Sequence, residues 1–404
     1  MRGARANDPR RWEIRGPAVH TPAGETRRLI IEDATISEAG DPIEATLDLP
    51  ADWHIVPGFI DAHIHGAMGG DVMDANAEGL ARIAAYLPAE GTTSFLATTM
   101  TGAPAAIEAA LRVAGAYDNV PGAAEMLGVH LEGPFVNADK AGAQPAEYIT
   151  APDIDRFERW QAVSGQRIRV VTLAPEVPGG DALITHLAAS GVRASIGHSA
   201  CSAAQTEAAI AAGAARGTHL FNAMNGLHHR EPGAACALLT NPAARAEIIA
   251  DGHHVAPAMV NLAYRTAGAT GLMAITDAMR AKGLGDGQYT LGGQPVTVEH
   301  GQARLADGTL AGSVLTFDQA FRNLRDYTGC DMAEMIAMSS ANAAADLGVA
   351  DRKGRLASGY DADLVVLDSD FRVCLTVCRG RIAYAGRTAG MAADGPRLLR
   401  RPGE

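Results

Sequence analysis

From Val56 onward the chain alternates short apolar runs with Ala-rich amphipathic segments. The runs Ile55–Ala62, Ser94–Ala97, Met126–His130, Ile168–Leu173, Arg193–Ile196, Arg216–Thr218, Glu247–Ala250 and Leu272–Ile275 have the length and bounding residues of buried strands. Between them Glu78–Glu90, Pro104–Ala116, Asp181–Ser190, Ser202–Ala212 and Pro257–Arg265 carry helical spacing. Eight strands separated by helices over roughly 220 residues predict a (β/α)8 barrel. Two more helical stretches follow, Thr316–Thr328 and Asp331–Asp346.

Short strands precede and follow this pattern, at Leu29–Ile31 and Ala45–Leu49 upstream and at Gly354–Leu356, Ala362–Leu367 and Val373–Val377 downstream. The expected architecture is therefore α/β: a TIM barrel over residues 56–350 and a small β-sandwich satellite built from residues 1–55 and 351–388. Residues 1–12 read as frayed, and residues 389–404, a mixture dominated by Gly, Ala, Arg and Pro, read as a disordered tail.

Composition changes this picture little. The 404 residues are 47% hydrophobic and 20% charged, and the net charge is −12. That charge argues against nucleic-acid or anionic-membrane partners and leaves room for a local basic pocket. Five scattered cysteines (201, 236, 330, 374 and 378) form no C-x-x-C, which suits a reducing compartment. The N-terminus is Arg-rich without an apolar h-region, and no apolar stretch is long enough to span a bilayer. These features predict a cytoplasmic protein.

The candidate chemistry lies where a barrel keeps it, at the carboxyl ends of its strands. The first strand ends in His63 and His65, whose i, i+2 spacing places both imidazoles on one face. Later ends present His130 and Glu132, His198, His219 and Asn222, Asp251 and His254, and Asp277. Together they imply a metal site: His63, His65 and Asp277 around one ion, His198 and His219 around a second, and Glu132 bridging. Imidazole and carboxylate without thiolate suit Zn, and equally Fe(II), Mn or Co. The lysines, Lys140, Lys282 and Lys353, all fall away from strand ends, which leaves the bridge to Glu132.

A divalent ion with an open position activates water near neutral pH and polarises a carbonyl. Asp277 can then take a proton from water and return it to a leaving amine; the other reading makes it a plain ligand. Arg230 is either a bidentate phosphate clamp or a solvated surface arginine. Asn222 and His254 are candidates for sugar hydroxyls or phosphate oxygens. His130 reads equally as a partner behind the ligands or as a core histidine. His20, His186 and His300 receive no role.

The run Pro57–Gly66, with its H-x-H, and the closing Gly354-Arg355-Leu356, Gly359 and Ala362-Asp363-Leu364 resemble the amidohydrolase superfamily. More specific are His130–Phe135, Ile196–Ser199, Thr218–Met224, Arg230–Gly233, Ile249–Gly252, Thr276–Met279 and Gly308–Ser313. Taken together these resemble the N-acetylglucosamine-6-phosphate deacetylase family, over about Val56 to Leu367. The resemblance implies hydrolysis of the N-acetyl group to glucosamine 6-phosphate and acetate, with Glu132, His198 and His219 holding metal and Asp277 catalytic. It implies sugar-phosphate contacts at Asn222, Ala223, Arg230 and His254, an acetyl pocket lined by Leu310, Ala311 and Gly312, and a homodimer in which the arginine reaches the neighbouring subunit. Retention of His63 and His65 favours two ions per subunit over one.

One departure concerns the substrate. Where that family carries Gly-Ala-His-Pro, this chain reads Gly142-Ala143-Gln144-Pro145, so Ala143 and Gln144 stand at a substrate-contacting position without an ionisable ring. Another N-acetyl hexosamine, such as N-acetylgalactosamine 6-phosphate or an unphosphorylated sugar, is therefore the alternative substrate. A barrel that has lost catalysis and only binds is the remote one.

Overall fold

The computed structural model describes residues 9–38 and 40–386. At its centre eight parallel strands run in chain order: Phe59–Ile64, Thr92–Thr99, Glu125–Glu132, Ile168–Leu173, Arg193–Ile196, Arg216–Gly217, Arg245–Ile248 and Leu272–Ala274. The ring closes just past its last strand, where the Asp277 N–H donates to the His63 carbonyl and the His65 N–H to the Ala278 carbonyl, both at 2.9 Å. Thus the closing bonds run through the first strand's two histidines and Asp277. Helices cover the outside, so strands such as Thr92–Thr99 are buried along their whole length. That double coverage is why they read as near-continuous apolar runs.

The first strand differs from expectation. Ile55–Ala62 is not one strand; the chain changes sheets at Gly58. His54–Pro57 pairs antiparallel with Leu364–Leu367, while Phe59–Ile64 enters the barrel beside Thr92–Thr99. Pro57 has no N–H to continue a ladder, and a Cβ at Gly58 would lie 2.1 Å from Thr93 Oγ1. Only glycine permits the crossing.

Three further elements were not visible in the pattern. The helix Ile154–Val163 is mostly polar and anchors itself through Phe157 and Trp160, and Ala234–Thr240 is a short helix between Gly233 and Asn241. Residues 287–313 form four antiparallel strands that lay an apolar face, including Val296, Val298 and Ala311, over Met100 and Met279. The stretch expected as one helix, Asp331–Asp346, has a π-helical turn at Ala337–Ala341.

Strands from both ends of the described chain join in a second, mixed eight-stranded sheet, from Arg11–Thr21 to Arg381–Ala385. It has its own core, in which Trp12, Ile14 and Ile31 meet Leu364, Val366 and Leu375. The expected fraying therefore stops short of Arg11, whose strand buries Trp12 and Ile14. Residues 1–8 and the expected tail at 389–404 lie outside the described residues. Among the described residues no helix is long and apolar enough to cross a membrane.

Candidate metal and catalytic site

Six side chains from five strand ends converge at one rim of the barrel. Glu132, at the end of the third strand, lies at the middle of them. Its Oε1 stands 3.2 Å from His198 Nε2, 3.2 Å from His219 Nε2 and 3.5 Å from His63 Nε2. Its Oε2 is 3.4 Å from His65 Nε2. Asp277 Oδ1 faces the first strand's pair, 3.4 Å from His63 Nε2 and 3.2 Å from His65 Nε2. The donors fall into two groups, His63 with His65 and Asp277, and His198 with His219 and Glu132. All six are buried. His198, His219 and Asp277 adopt left-handed backbone conformations immediately past their strands, the local strain that clusters at functional sites.

The outward-facing nitrogens explain the orientation. His63 Nδ1 donates to Glu247 Oε2 at 2.9 Å, His65 Nδ1 to the Thr98 carbonyl at 3.2 Å and His198 Nδ1 to the Lys140 carbonyl at 2.9 Å. With the proton fixed on Nδ1, each Nε2 presents a lone pair to the centre. His63 Nε2 is buried without a hydrogen-bond partner, and the Nε2 atoms of His198 and His219 stand only 3.1 Å apart. Convergent lone pairs beside two carboxylates fit divalent cations and suit few other occupants.

Electrostatics agree. Burial pushes the Glu132 carboxyl upward, but the imidazoles that face it, His63 first and then His198, His219 and His65, outweigh burial and hold it well below the usual range. Asp277 is likewise lowered, burial being outweighed by His63 and His65. His130 is driven well below its ordinary value, first by burial and then by the neighbouring His63. A neutral ring bonded to Thr172 Oγ1 at 2.7 Å and stacked edge-on against His63 makes His130 a packing neighbour of the donors.

The expected substrate contacts are placed unevenly. Gln144 is buried against the donors: Nε2 donates to Glu132 Oε2 at 2.7 Å, and Oε1 accepts the Thr101 N–H at 2.8 Å. Asn222 spends its amide on the His219 and Leu220 carbonyls, which leaves its oxygen available. Ala223 is half-buried in the same turn. His254 Nδ1 donates to Asp251 Oδ2 at 2.6 Å, which turns Nε2 away as an acceptor. Leu310 and Gly312 are half-buried, and Gly312 passes the Asp277 carbonyl closely enough that a Cβ would sit 3.1 Å from it. Ala311 and Ala143 pack into the apolar cluster of Met100, Met279 and Leu291, so Ala311, fully buried there, has only its backbone to offer. Arg230 is exposed, and its hydrogen bond among the described residues is to His229 at 2.7 Å. It borders a groove of about 600 Å³ lined also by Ser202, Gln205, Asn225 and Leu227.

Sequence reasoning missed Glu247 and Arg216. Both are fully buried inside barrel strands, where a charge is tolerated only when paired. The available signal was a charge inside each of the two expected strand runs, which calls for a partner without naming it.

A model of the amidohydrolase family matches residues 54–383. The N-acetylglucosamine-6-phosphate deacetylase of Bacillus subtilis (strain 168) is 46% identical over 353 residues, covering 86% of this chain and 89% of that protein. The N-acetylgalactosamine-6-phosphate deacetylase of Escherichia coli O157:H7 is 41% identical over 360 residues, 89% of this chain and 95% of that one. Among solved structures, a Mycobacterium smegmatis N-acetyl-D-glucosamine-6-phosphate deacetylase mutant in complex with N-acetyl-D-glucosamine-6-phosphate superposes with a TM-score of 0.85 at 33% identity. That match covers 94% of this chain and all of the other.

Proposed function

The chain belongs to the amidohydrolase family, and from that premise we propose that it hydrolyses the N-acetyl group of N-acetylglucosamine 6-phosphate to glucosamine 6-phosphate and acetate. The observation that carries this reading is Glu132 standing between the His63–His65–Asp277 group and the His198–His219 pair at one rim of the barrel. His63, His65 and Asp277 would hold one divalent cation, His198 and His219 the other, with Glu132 shared. Zinc is the first choice for such a donor set, with Fe, Mn and Co as substitutes. When bound, the metal supplies an activated water and an electrophile for the amide carbonyl.

The chain's own residues do the rest. Asp277 Oδ1 receives a proton from the attacking water and returns it to the departing sugar nitrogen, and the second water proton follows, so that water and amide become acetate and a protonated amine with no other reactant. Asn222 and His254 offer an oxygen and a ring nitrogen as acceptors for sugar hydroxyls. Ala223 stands with Asn222 on the sugar-phosphate side, Ala143 is a substrate contact beside Gln144, and Leu310, Ala311 and Gly312 shape the wall beside the acetyl group. Arg230, exposed and hydrogen-bonded to His229 rather than to any donor, suits a phosphate contact made across a homodimer, into the second copy's site. The five free thiols suit a cytoplasmic setting.

Gln144 favours a second reading by a specific observation. Its amide replaces an ionisable ring and is engaged by Glu132 and Thr101, which opens the site to N-acetylgalactosamine 6-phosphate, the substrate class in the name of the E. coli relative. Acetate release by zinc-loaded protein from the two 6-phosphates and from both free sugars tests the proposal. Faster turnover of the glucosamine derivative is expected. Equal inertness toward all four sugars refutes it.

A further inference from the structure

Glu247 stands behind the donors without touching the rim, and its contacts are unusually divided. Its Oε2 accepts from His63 Nδ1 at 2.9 Å and from the backbone N–H of His219 at 3.0 Å. One oxygen thus holds one residue from each of the two donor groups. Its Oε1 accepts from Arg216 Nε at 2.8 Å and from Arg216 Nη2. Arg216 in turn donates through Nη2 to the carbonyl of Ala62, the residue before His63, at 3.1 Å, and through Nη1 to Asp346 Oδ2 at 2.7 Å. Glu247, Arg216 and His63 are all fully buried.

From this division we propose that Glu247 is a positioning residue that sets both cation positions at once. It fixes the tautomer of His63, so that Nε2 faces inward, and it pins the left-handed backbone of His219. Hydrogen bonds to metal-ligating histidines orient the ring and raise its basicity; here one carboxylate oxygen does so for one position and steers the backbone of the other. Arg216 holds that carboxylate in place through Oε1, and its own grip on Ala62 ties the first strand to the same anchor. A cation held by Glu247 itself, with His63 and His130, is disfavoured because the Arg216 guanidinium already occupies the other carboxylate oxygen. The inference rests on the metal site of the proposed function.

Glu247→Gln is a sharp test because glutamine cannot serve both sides. It has one acceptor oxygen, so its NH2 must face either the His63 and His219 donors or the guanidinium. Asp346→Asn is the comparison: it removes a charge from the same Arg216 at the end away from His63. Full-length wild type and both variants are stripped, reloaded with zinc, and measured for zinc per subunit, for affinity by chelator competition and for Tm. The expected result is a loss of zinc affinity of roughly 10- to 100-fold in Glu247→Gln, with Asp346→Asn losing Tm while keeping affinity. Wild-type affinity in Glu247→Gln overturns the inference, as does an equal loss in Asp346→Asn, which marks a merely structural role. A wild type that takes up no zinc overturns the proposed function and this inference with it. If Glu247→Gln does not fold, nitrogen-15 spectra of histidine-labelled, zinc-loaded wild type decide the matter. An exchange-protected Nδ1–H assigned to His63 is expected, and its absence overturns the inference.

Discussion

Gln144 donates its amide hydrogen to Glu132 across 2.7 Å. The contact binds a loop residue to the carboxylate shared by both donor groups, and the Thr101 N–H anchors the other end of the same amide. Glutamine is matched to this place: one end must donate to an anion and the other must accept from a backbone N–H.

Gln144→Leu keeps the volume and removes both bonds. The stranded Thr101 N–H costs about 1–3 kcal/mol of stability, and kcat/KM on the phosphorylated sugar is expected to fall roughly 10- to 100-fold as Glu132 loses its tether. Urea denaturation and acetate release measure the two effects. A variant as active as the parent would show that Glu132 needs no such support.

Asp277→Asn removes the proton acceptor with almost no change in shape. The backbone bonds of Asp277, the barrel-closing one to His63 and the one to Ser313, survive the substitution. kcat should fall by about 10²- to 10⁴-fold while Tm moves little. Retention of near-parental turnover would leave Asp277 a ligand without proton transfer.

How far the sequence reached is visible in these residues. His63, His65, Glu132, His198, His219 and Asp277 were legible because each ends an apolar run, and a barrel gathers strand ends at one rim. The partners that orient them were not legible. Thr98 and Lys140 act through carbonyls, which every residue possesses. Arg216 and Glu247 are separated by 31 residues along the chain, and their pairing exists only in the folded barrel. The switch of sheets at Gly58 was hidden for a related reason: Ile55–Pro57 and Phe59–Ile64 are buried alike, and only their partners differ. The sheet over residues 287–313 alternates weakly and takes its buried face from Met100 and Met279, far away in the sequence.

Acid should also act on a second cluster. Glu125, at the start of the third barrel strand, receives Arg352 Nη2 at 2.8 Å and Lys353 Nζ at 2.7 Å. Burial pushes its carboxyl up, but the hydrogen bond from Arg352 and the charge of Lys353 outweigh this and bring it down to about 2 from an ordinary 4.5. Because the folded value is depressed, the stabilisation is complete above the unfolded value and is lost as pH falls from 4.5 toward 2. Glu125→Gln should therefore be less stable than the parent at pH 6 and lose less on going to pH 3, as read by urea midpoints. Parallel curves for the two proteins would exclude this cluster from the acid response.

Arg230 offers the most direct test of assembly, since the phosphate reading requires a second copy. Arg230→Ala should leave Tm unchanged, because the side chain is exposed and bonded to His229 alone among the described residues. Its kcat/KM on the 6-phosphate should drop roughly tenfold or more, the loss of a charge-assisted contact, while the free sugar is unaffected. Mixing is more informative than either single variant. A heterodimer of Arg230→Ala with Asp277→Asn has one site in which both residues are intact, provided that Arg230 is contributed by the neighbour. Random exchange of subunits makes about half of the dimers heterodimers, so recovery should approach about a quarter of the parental activity at low substrate. If Arg230 instead served its own subunit, every site would lack one of the two groups and mixing would restore nothing. The mixture therefore separates a contact made in trans from one made in cis, and activity no higher than the average of the two parents would retire the dimeric reading of the phosphate site.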